Sequence, residues 1–287
     1  NATLVAWNYF RDQKVDLQIL EVGMGGRLDA TNLCEPDLTI IGPIGMDHAE
    51  ILGNSVEKIA REKAGIMRGQ KPVWIAAPEE KIILETLIRE ADHKSALLRI
   101  SSSADSENEA KIVAAILPRG VHQSENALLA YRAYLELSEN FGWRVLGIDR
   151  AIEALQESHL TGRIQILQTD PLWILDGAHN TSAVSALCLW LRAQYPQKKF
   201  EMIFGLMNDK DLAEITKMLA PFVEQVHMAS FYPEREFSPL QCAQAFEAVG
   251  IKTKVYTDIP AILNSLRESG REVLVCGSFY LVGEVLR

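Results

Sequence analysis

Residues 172–193 read LWILDGAHNTSAVSALCLWLRA, and this stretch decides the fold. Leu172 to Asp176 is an apolar run of strand length that ends on a carboxylate. Gly177 to Asn180 is a short polar loop, and Ser182–Ala193 then follows a helical pattern. A buried strand running through a short loop into a helix is half of a parallel β-α-β unit. The same alternation recurs outward from it. Strands are predicted at Ile164–Gln168, Phe200–Phe204, Gln225–Ala229, Lys252–Tyr256 and Glu272–Cys276, with a helix at Leu212–Leu219. Together they make an open sheet of doubly wound type. Further upstream, strands are predicted at Leu17–Val22, Leu38–Ile41 and Val73–Ala77. Helices are predicted there at Thr3–Phe10, Asn54–Met67, Glu79–His93, Ser124–Ser138 and Asp149–Glu157. Ser101–Ala110, SSSADSENEA, is polar and reads as a loop or mobile stretch. No internal repeat is visible. The expected fold class is therefore α/β with two domains, the boundary falling near His159–Asp170.

The whole chain narrows the function classes. Its 287 residues suffice for two domains, and 48% hydrophobic content is ordinary for globular proteins. A net charge of −9 argues against a nucleic-acid surface, which needs clustered Lys and Arg. Cys34, Cys188, Cys242 and Cys276 are scattered with no C-x-x-C pair, which suits free thiols in a reducing compartment. No apolar run reaches the roughly 18 residues of a spanning helix, and no signal peptide opens the chain. A cytoplasmic protein without a membrane partner is expected. The chain starts at Asn1 rather than Met, with a helical pattern already under way, so it is expected to be the downstream part of a longer polypeptide.

Three segments of the first half carry candidate chemistry. The sequence Glu21-Val-Gly-Met-Gly-Gly-Arg-Leu-Asp-Ala-Thr-Asn32 follows a predicted strand. Ligands of open α/β sheets lie beyond the carboxyl ends of strands, where Glu21 would face one. Three glycines in four positions permit close backbone approach or positive φ. The dinucleotide pattern G-x-G-x-x-G fails, because it needs glycine where Leu28 stands. A tight turn carrying a surface glutamate fits these residues equally well. His48 lies after the strand ending near Ile41, and its imidazole could join Glu21 on a metal. A lone loop histidine is more often polar surface. In Asn54–Met67, Asn54 and Glu57 form a capping-box pattern, and Val56, Ile59, Ala60 and Met67 form an apolar stripe. Lys63 falls on that stripe. A lysine held against apolar surface more readily presents a neutral amine, which can add carbon dioxide to become a carbamate that supports a metal. Alternatively its stem packs while the ammonium reaches water.

In the second half, Asp176 at its strand end could accept from a ribose hydroxyl or a substrate ammonium. Arg163, in Thr161-Gly162-Arg163, offers a guanidinium suited to phosphate. Asn126 is expected to open a helix, where its amide could contact a nucleotide or serve near a cap. Gly205–Asp211 and Cys276–Phe279 are further strand-end loops of little specific weight.

Together these segments resemble the bifunctional dihydrofolate synthase/folylpolyglutamate synthase family, relatives of the Mur peptide ligases. The resemblance rests on LEVGMGGRLDATN, GMDHAEILGNSVEKIAREKAGIMR, SENALLAY, TGRIQI, ILDGAHN, FGLMNDKD and VLVCGSFYLVGEVL, which follow the family's order along nearly the whole chain. GGRLDATN and REKAG are its most specific parts. The resemblance implies a truncated P-loop-type central domain over 1–160, a partial ATP-, magnesium- and pteroate-binding unit without the P-loop strand, and a Rossmann-like C-terminal ligase domain over 161–287. It implies Glu21 and His48 as magnesium ligands at what would be two metal sites, and Lys63 as a carbamylated catalytic lysine. Leu28, Asp29 and Ala30 would hold pteroate, while Asn126, Arg163 and Asp176 would contact ATP. His179 and the 205–211 loop would lie near the incoming L-glutamate. The implied reaction is ATP-driven amide formation on dihydropteroate or a folate through an acyl phosphate, by a monomer whose domains close over the substrates.

The family's loop ending in Gly-Lys-Ser or Gly-Lys-Thr does not occur in these residues. The expectation is therefore that this polypeptide alone ligates poorly. A Mur-type ligase of cell-wall synthesis and a non-catalytic remnant of the fold are the alternatives. A nicotinamide oxidoreductase is disfavoured by the glycine spacing.

Overall fold

The computed structural model describes residues 2–46, 52–158 and 160–287. They form two compact units that do not divide at a single cut. The first contains Asn1–Val113 and Glu125–Ile148, and the second contains Ala114–Ser124 with Asp149–Arg287. Mixed α/β structure in both matches the expected fold class.

The first unit is built on a parallel sheet of β1 (Thr39–Ile41), β2 (Pro72–Ala76) and β3 (Leu97–Ser101) in that order. Its chain also forms helices α1 (Ala2–Gln13), α2 (Val56–Ala64) and α3 (Lys81–Lys94), with most of α4 (Glu107–Ile116) and of α5 (Val121–Phe141). Ile41, Val73 and Ile75 from the sheet bury against Ala60 and Ala64 of α2 and Ile83, Leu87 and Ala91 of α3. This is the apolar stripe of α2 meeting β-branched strand residues, the arrangement that hides both amphipathic surfaces at once.

Four expectations are corrected here. Leu17–Val22 is not a strand: no described strand pairs with it, and Ile19 is 85% exposed. An apolar run becomes a strand only where a neighbour takes its backbone hydrogen bonds. Ser101–Ala110 is not a loose loop, since β3 ends at Ser101 and α4 starts at Glu107. Arg132 of α5, itself 5% exposed, donates to Glu109 at 2.9 Å, to Asp105 at 2.9 Å, to the Ser103 carbonyl at 2.8 Å and to the Ser101 hydroxyl at 3.2 Å. One guanidinium thus orders a stretch whose composition alone reads as mobile. The cap of α2 is Ser55, whose side chain accepts from Lys58 N, while Asn54 Oδ1 accepts from Lys58 Nζ at 3.2 Å. Finally, α5 begins at Val121, so Asn126 lies inside the helix, exposed, and caps nothing.

The second unit holds α6 (Ile148–Glu157) and a sheet of six strands: β4 (Gln165–Thr169), β5 (Leu172–Asp176), β6 (Phe200–Phe204), β7 (Val223–Met228), β8 (Lys252–Val255) and β9 (Val273–Cys276). Their order is β4-β5-β9-β6-β7-β8. All pairs are parallel except β4 with β5, which are joined through Asp170-Pro171, too short a connection for a crossover. Between the strands run α7 (Thr181–Gln194), α8 (Leu212–Leu219), α9 (Pro239–Ala248) and α10 (Ile259–Ser269), and α11 (Phe279–Val285) follows the last of them. β5, β6 and β9 are buried along their whole length. Ile174 faces one core with Leu187 and Phe246, while Trp173 and Leu175 face the other with Ile262 and Leu281. Alternate residues of central strands therefore serve opposite faces, as a doubly wound sheet requires. Among the described residues no helix is long and apolar enough to cross a membrane.

Candidate functional site

In the second unit three strand ends arrive at one level. Asp176 of β5 is the register partner of Cys276 of β9, which is in turn the partner of Phe204 of β6. The loops DGAHN, CGSF and GLMNDKD therefore leave the sheet side by side, at the carboxyl ends where such sheets bind ligands. Close backbone packing joins them. Gly277 has φ +113°, and a Cβ there would lie 2.4 Å from the Gly205 carbonyl oxygen. Cys276 Sγ donates to the Ala178 carbonyl at 3.5 Å. The two loops that carried little weight in the sequence are thus part of the same site as Asp176.

Asp176 is 6% exposed, and its carboxylate works as a clasp. One oxygen accepts from Ile164 N and the other from Ala178 N, both at 2.8 Å. Burial pushes its carboxyl up from the ordinary range, opposed by those two amides and by the nearby Arg163 and His179. Gly177 N donates to the Gly162 carbonyl at 2.7 Å, so the TGR segment is bound to the DGAHN loop by backbone as well. Arg163 then spreads its guanidinium over the Phe279 ring at 4.6 Å, and His179 meets the same ring edge-on with centroids 6.0 Å apart. His179 Nδ1 lies 2.7 Å from the Gly177 carbonyl oxygen. A carbonyl only accepts, so Nδ1 donates and Nε2 is the nitrogen left to the site. Phe279 is the residue that sequence reasoning missed; its signal is the pair of glycines that face it, Gly162 and Gly177. A depression of about 430 Å³ beside Arg163 is lined also by Arg119, Gln123, Thr161 and Trp190.

In the first unit the most specific motifs turn out to be two sides of one joint. The GGRLDATN loop lies on the C-terminal end of α2. Arg27 N donates to the Glu62 carbonyl at 2.9 Å, and Asn32 Nδ2 donates to the Gly65 carbonyl at 3.3 Å. Arg27 pairs with Glu62 through two guanidinium nitrogens at 2.9 and 3.0 Å. Gly26 has φ +154°, and a Cβ there would stand 2.9 Å from the Glu62 carbonyl oxygen. Gly65 comes so near that a Cβ would meet Arg27 Cβ at 2.3 Å. Lys94 of α3 donates to the carbonyls of Ala64 and Gly65, satisfying the open end of α2. Lys63 sits half-buried in that last turn.

Of the residues implied for pteroate, Leu28 is exposed at 81%. Ala30 is exposed and opens a short 3-10 turn. Asp29 caps that turn and accepts from Gly23 N, Met24 N and both the amide and hydroxyl of Thr31. Burial would raise its carboxyl, but those bonds outweigh it and hold it below the ordinary value. Its present work is to shape the loop. Glu21 is exposed before Gly23, while His48 lies outside the described residues. Among the described residues no three His, Cys, Asp or Glu side chains converge into a metal cage. An exposed carboxylate with few protein partners still suits magnesium, which is usually held by one or two carboxylates together with water and phosphate oxygens.

The model of the Mur ligase middle domain matches residues 6–134, and that of the dihydrofolate synthetase C-terminal domain matches 163–287. Dihydrofolate synthase/folylpolyglutamate synthase of Bacillus subtilis is 30% identical over 99% of this chain and 70% of its own length. That of Escherichia coli is 31% identical over 99% of this chain and 67% of its own. Among solved structures, E. coli FolC in complex with ADP, without folate substrate, aligns with a TM-score of 0.82 at 28% identity, over 99% of this chain and 69% of that one. The Yersinia pestis enzyme complexed with AMPPNP and Mn ion aligns at 0.81 and 29% identity, over 99% and 69%. Fold and site together define a protein of the Mur ligase class. Within that class, the chain belongs to the dihydrofolate synthase/folylpolyglutamate synthase family.

Proposed function

We propose that the protein joins L-glutamate to dihydropteroate, to the terminal glutamate of a folate, or to both, at the expense of ATP. The observation that carries this reading is the match to folate ligases across both units, with their two most specific motifs meeting in a single backbone joint. In the reaction the substrate carboxylate attacks the γ-phosphorus and ADP leaves. The glutamate nitrogen then attacks the acyl carbon, phosphate departs, and the nitrogen gives up a proton.

The chain's own residues suit those needs. Arg163, held over Phe279, offers fixed positive charge to phosphate oxygens. Asp176 fixes the two loops that carry Arg163 and His179. Nε2 of His179, whose partner nitrogen is engaged by Gly177, can take the proton from the attacking amine. Asn126, exposed on α5, is assigned to the nucleotide side, and Leu28, Asp29 and Ala30 to the pteroate side. Glu21 and His48 are assigned to a divalent cation, with Lys63, as a carbamate, in support. That ion would neutralise charge on the phosphates. The E. coli relative is known in complex with DHPP and ADP, and the Yersinia pestis relative with AMPPNP and Mn ion, which supports a nucleotide and a divalent cation here.

The test is glutamate-dependent phosphate release from ATP by the full-length gene product, with dihydropteroate and tetrahydrofolate compared as acceptors. Release with either supports the reading, and release with both makes the enzyme bifunctional. Release with neither, under conditions where the E. coli enzyme turns over, overturns it.

A further inference from the structure

Phe279 is 37% exposed, an aromatic ring left at the surface directly after the strand end Cys276. A single exposed aromatic is ordinary. Its surroundings are not, because two neighbouring loops lack the atoms that would displace it. A Cβ at Gly177 would stand 2.5 Å from two ring carbons and 2.7 Å from a third. A Cβ at Gly162 would stand 3.3 Å from the ring. Gly162 has φ +72°, which itself favours glycine, but no positive φ requires one at Gly177. The demand at Gly177 comes from the ring. With that space cleared, the ring carries the Arg163 guanidinium over one face and meets the His179 ring in a T-shaped contact.

We infer that Phe279 is a positioning residue, a platform that fixes the Arg163 guanidinium and the His179 imidazole together for the ligation step. This rests on the function proposed above. A guanidinium over a π face gains electrostatic attraction and loses rotamer freedom, so it is presented to phosphate with little left to order. The His179 ring, held by Gly177 on one side and Phe279 on the other, keeps Nε2 in one direction. Gly177 belongs to the same device. Its missing Cβ is what lets the ring lie across both side chains.

The test is a double-mutant cycle in the full-length gene product with Phe279→Leu, which keeps bulk but removes the π face, and Gly177→Ala, which drives the ring away. Each single variant is expected to lower kcat/KM roughly ten- to hundred-fold, with KM for ATP and for L-glutamate both raised. Because the missing Cβ of Gly177 serves to seat the ring and its backbone bonds survive in alanine, adding Gly177→Ala to Phe279→Leu should cost less than twofold more. The thermal midpoint of Phe279→Leu should stay near that of the parent. Wild-type kinetics in Phe279→Leu, or full multiplicativity of the two changes, would overturn the inference. If the parent protein itself does not ligate, the functional reading fails. The platform is then judged by the Arg163 side-chain and His179 ring NMR resonances. They should move toward solvent-exposed values in Phe279→Leu, and unmoved resonances would overturn it.

Discussion

Gly65 illustrates how much a single hydrogen in place of a methyl can decide. A Cβ there would sit 2.3 Å from Arg27 Cβ and 2.4 Å from Arg27 Cα, and neither is the far end of a flexible chain. The loop must shift or α2 must unwind to admit it. Gly65→Ala is therefore expected to destabilise the first unit by roughly 1–3 kcal/mol, the usual range for overpacking. Urea denaturation followed by a probe in that unit would measure it, and an unchanged midpoint would contradict the contact. The backbone at Gly65 is helical in φ, so the loss cannot be ascribed to conformational preference. The effect would report crowding alone.

Arg132 plays the equivalent part for an element. It holds β3, the 101–106 segment and α4 through one buried guanidinium. Removing it by Arg132→Ala leaves buried Glu109 with no partner of opposite charge among the described residues, which costs about 3–5 kcal/mol. Hydrogen bonds from Arg132, against the opposing pull of burial, hold the Glu109 carboxyl below its ordinary value of 4.5. A lowered folded value means the unfolded chain binds more protons. The associated stability is full above pH 4.5 and lost as pH falls through the folded value. Denaturation midpoints between pH 7 and pH 3 should fall in the parent and fall less in Arg132→Ala.

The legibility of elements follows the same physics. Strands β2, β5, β6 and β9 and helix α8 are plain in the sequence because burial on a sheet writes itself as an apolar run. The segment 101–110 is not, because its order comes from a charged partner more than twenty positions away, which no local pattern records. Leu17–Val22 misleads for the opposite reason: its apolar run meets no strand partner among the described residues. At the site, Asp176, Arg163 and His179 are visible as motif residues, whereas Phe279 is an unremarkable surface aromatic until the glycines facing it are seen in space.

At the scale of the whole molecule, a net charge of −9 is compatible with the proposed nucleotide, because the field that a phosphate meets is local and Arg163 would supply it. A ligand that binds only the folded state stabilises it by mass action, about 2.7 kcal/mol at a concentration one hundred times Kd. ADP with magnesium is therefore expected to raise the thermal midpoint of the full-length gene product, and Arg163→Ala to reduce that rise. A midpoint insensitive to nucleotide would remove the ATP-dependent reading.

The joint between Gly26-Arg27 and Glu62-Gly65 bears on descent as well as on stability. Because the contact leaves no room for a Cβ at either glycine, neither Gly26 nor Gly65 can accept a bulkier residue while the facing segment stays as it is. Mutations at the two places are then conditional on one another, and most single steps away from the pair pass through a less stable intermediate. Two stretches of sequence more than thirty residues apart would thus be inherited as one character, kept by steric lock even in a lineage that had given up the chemistry.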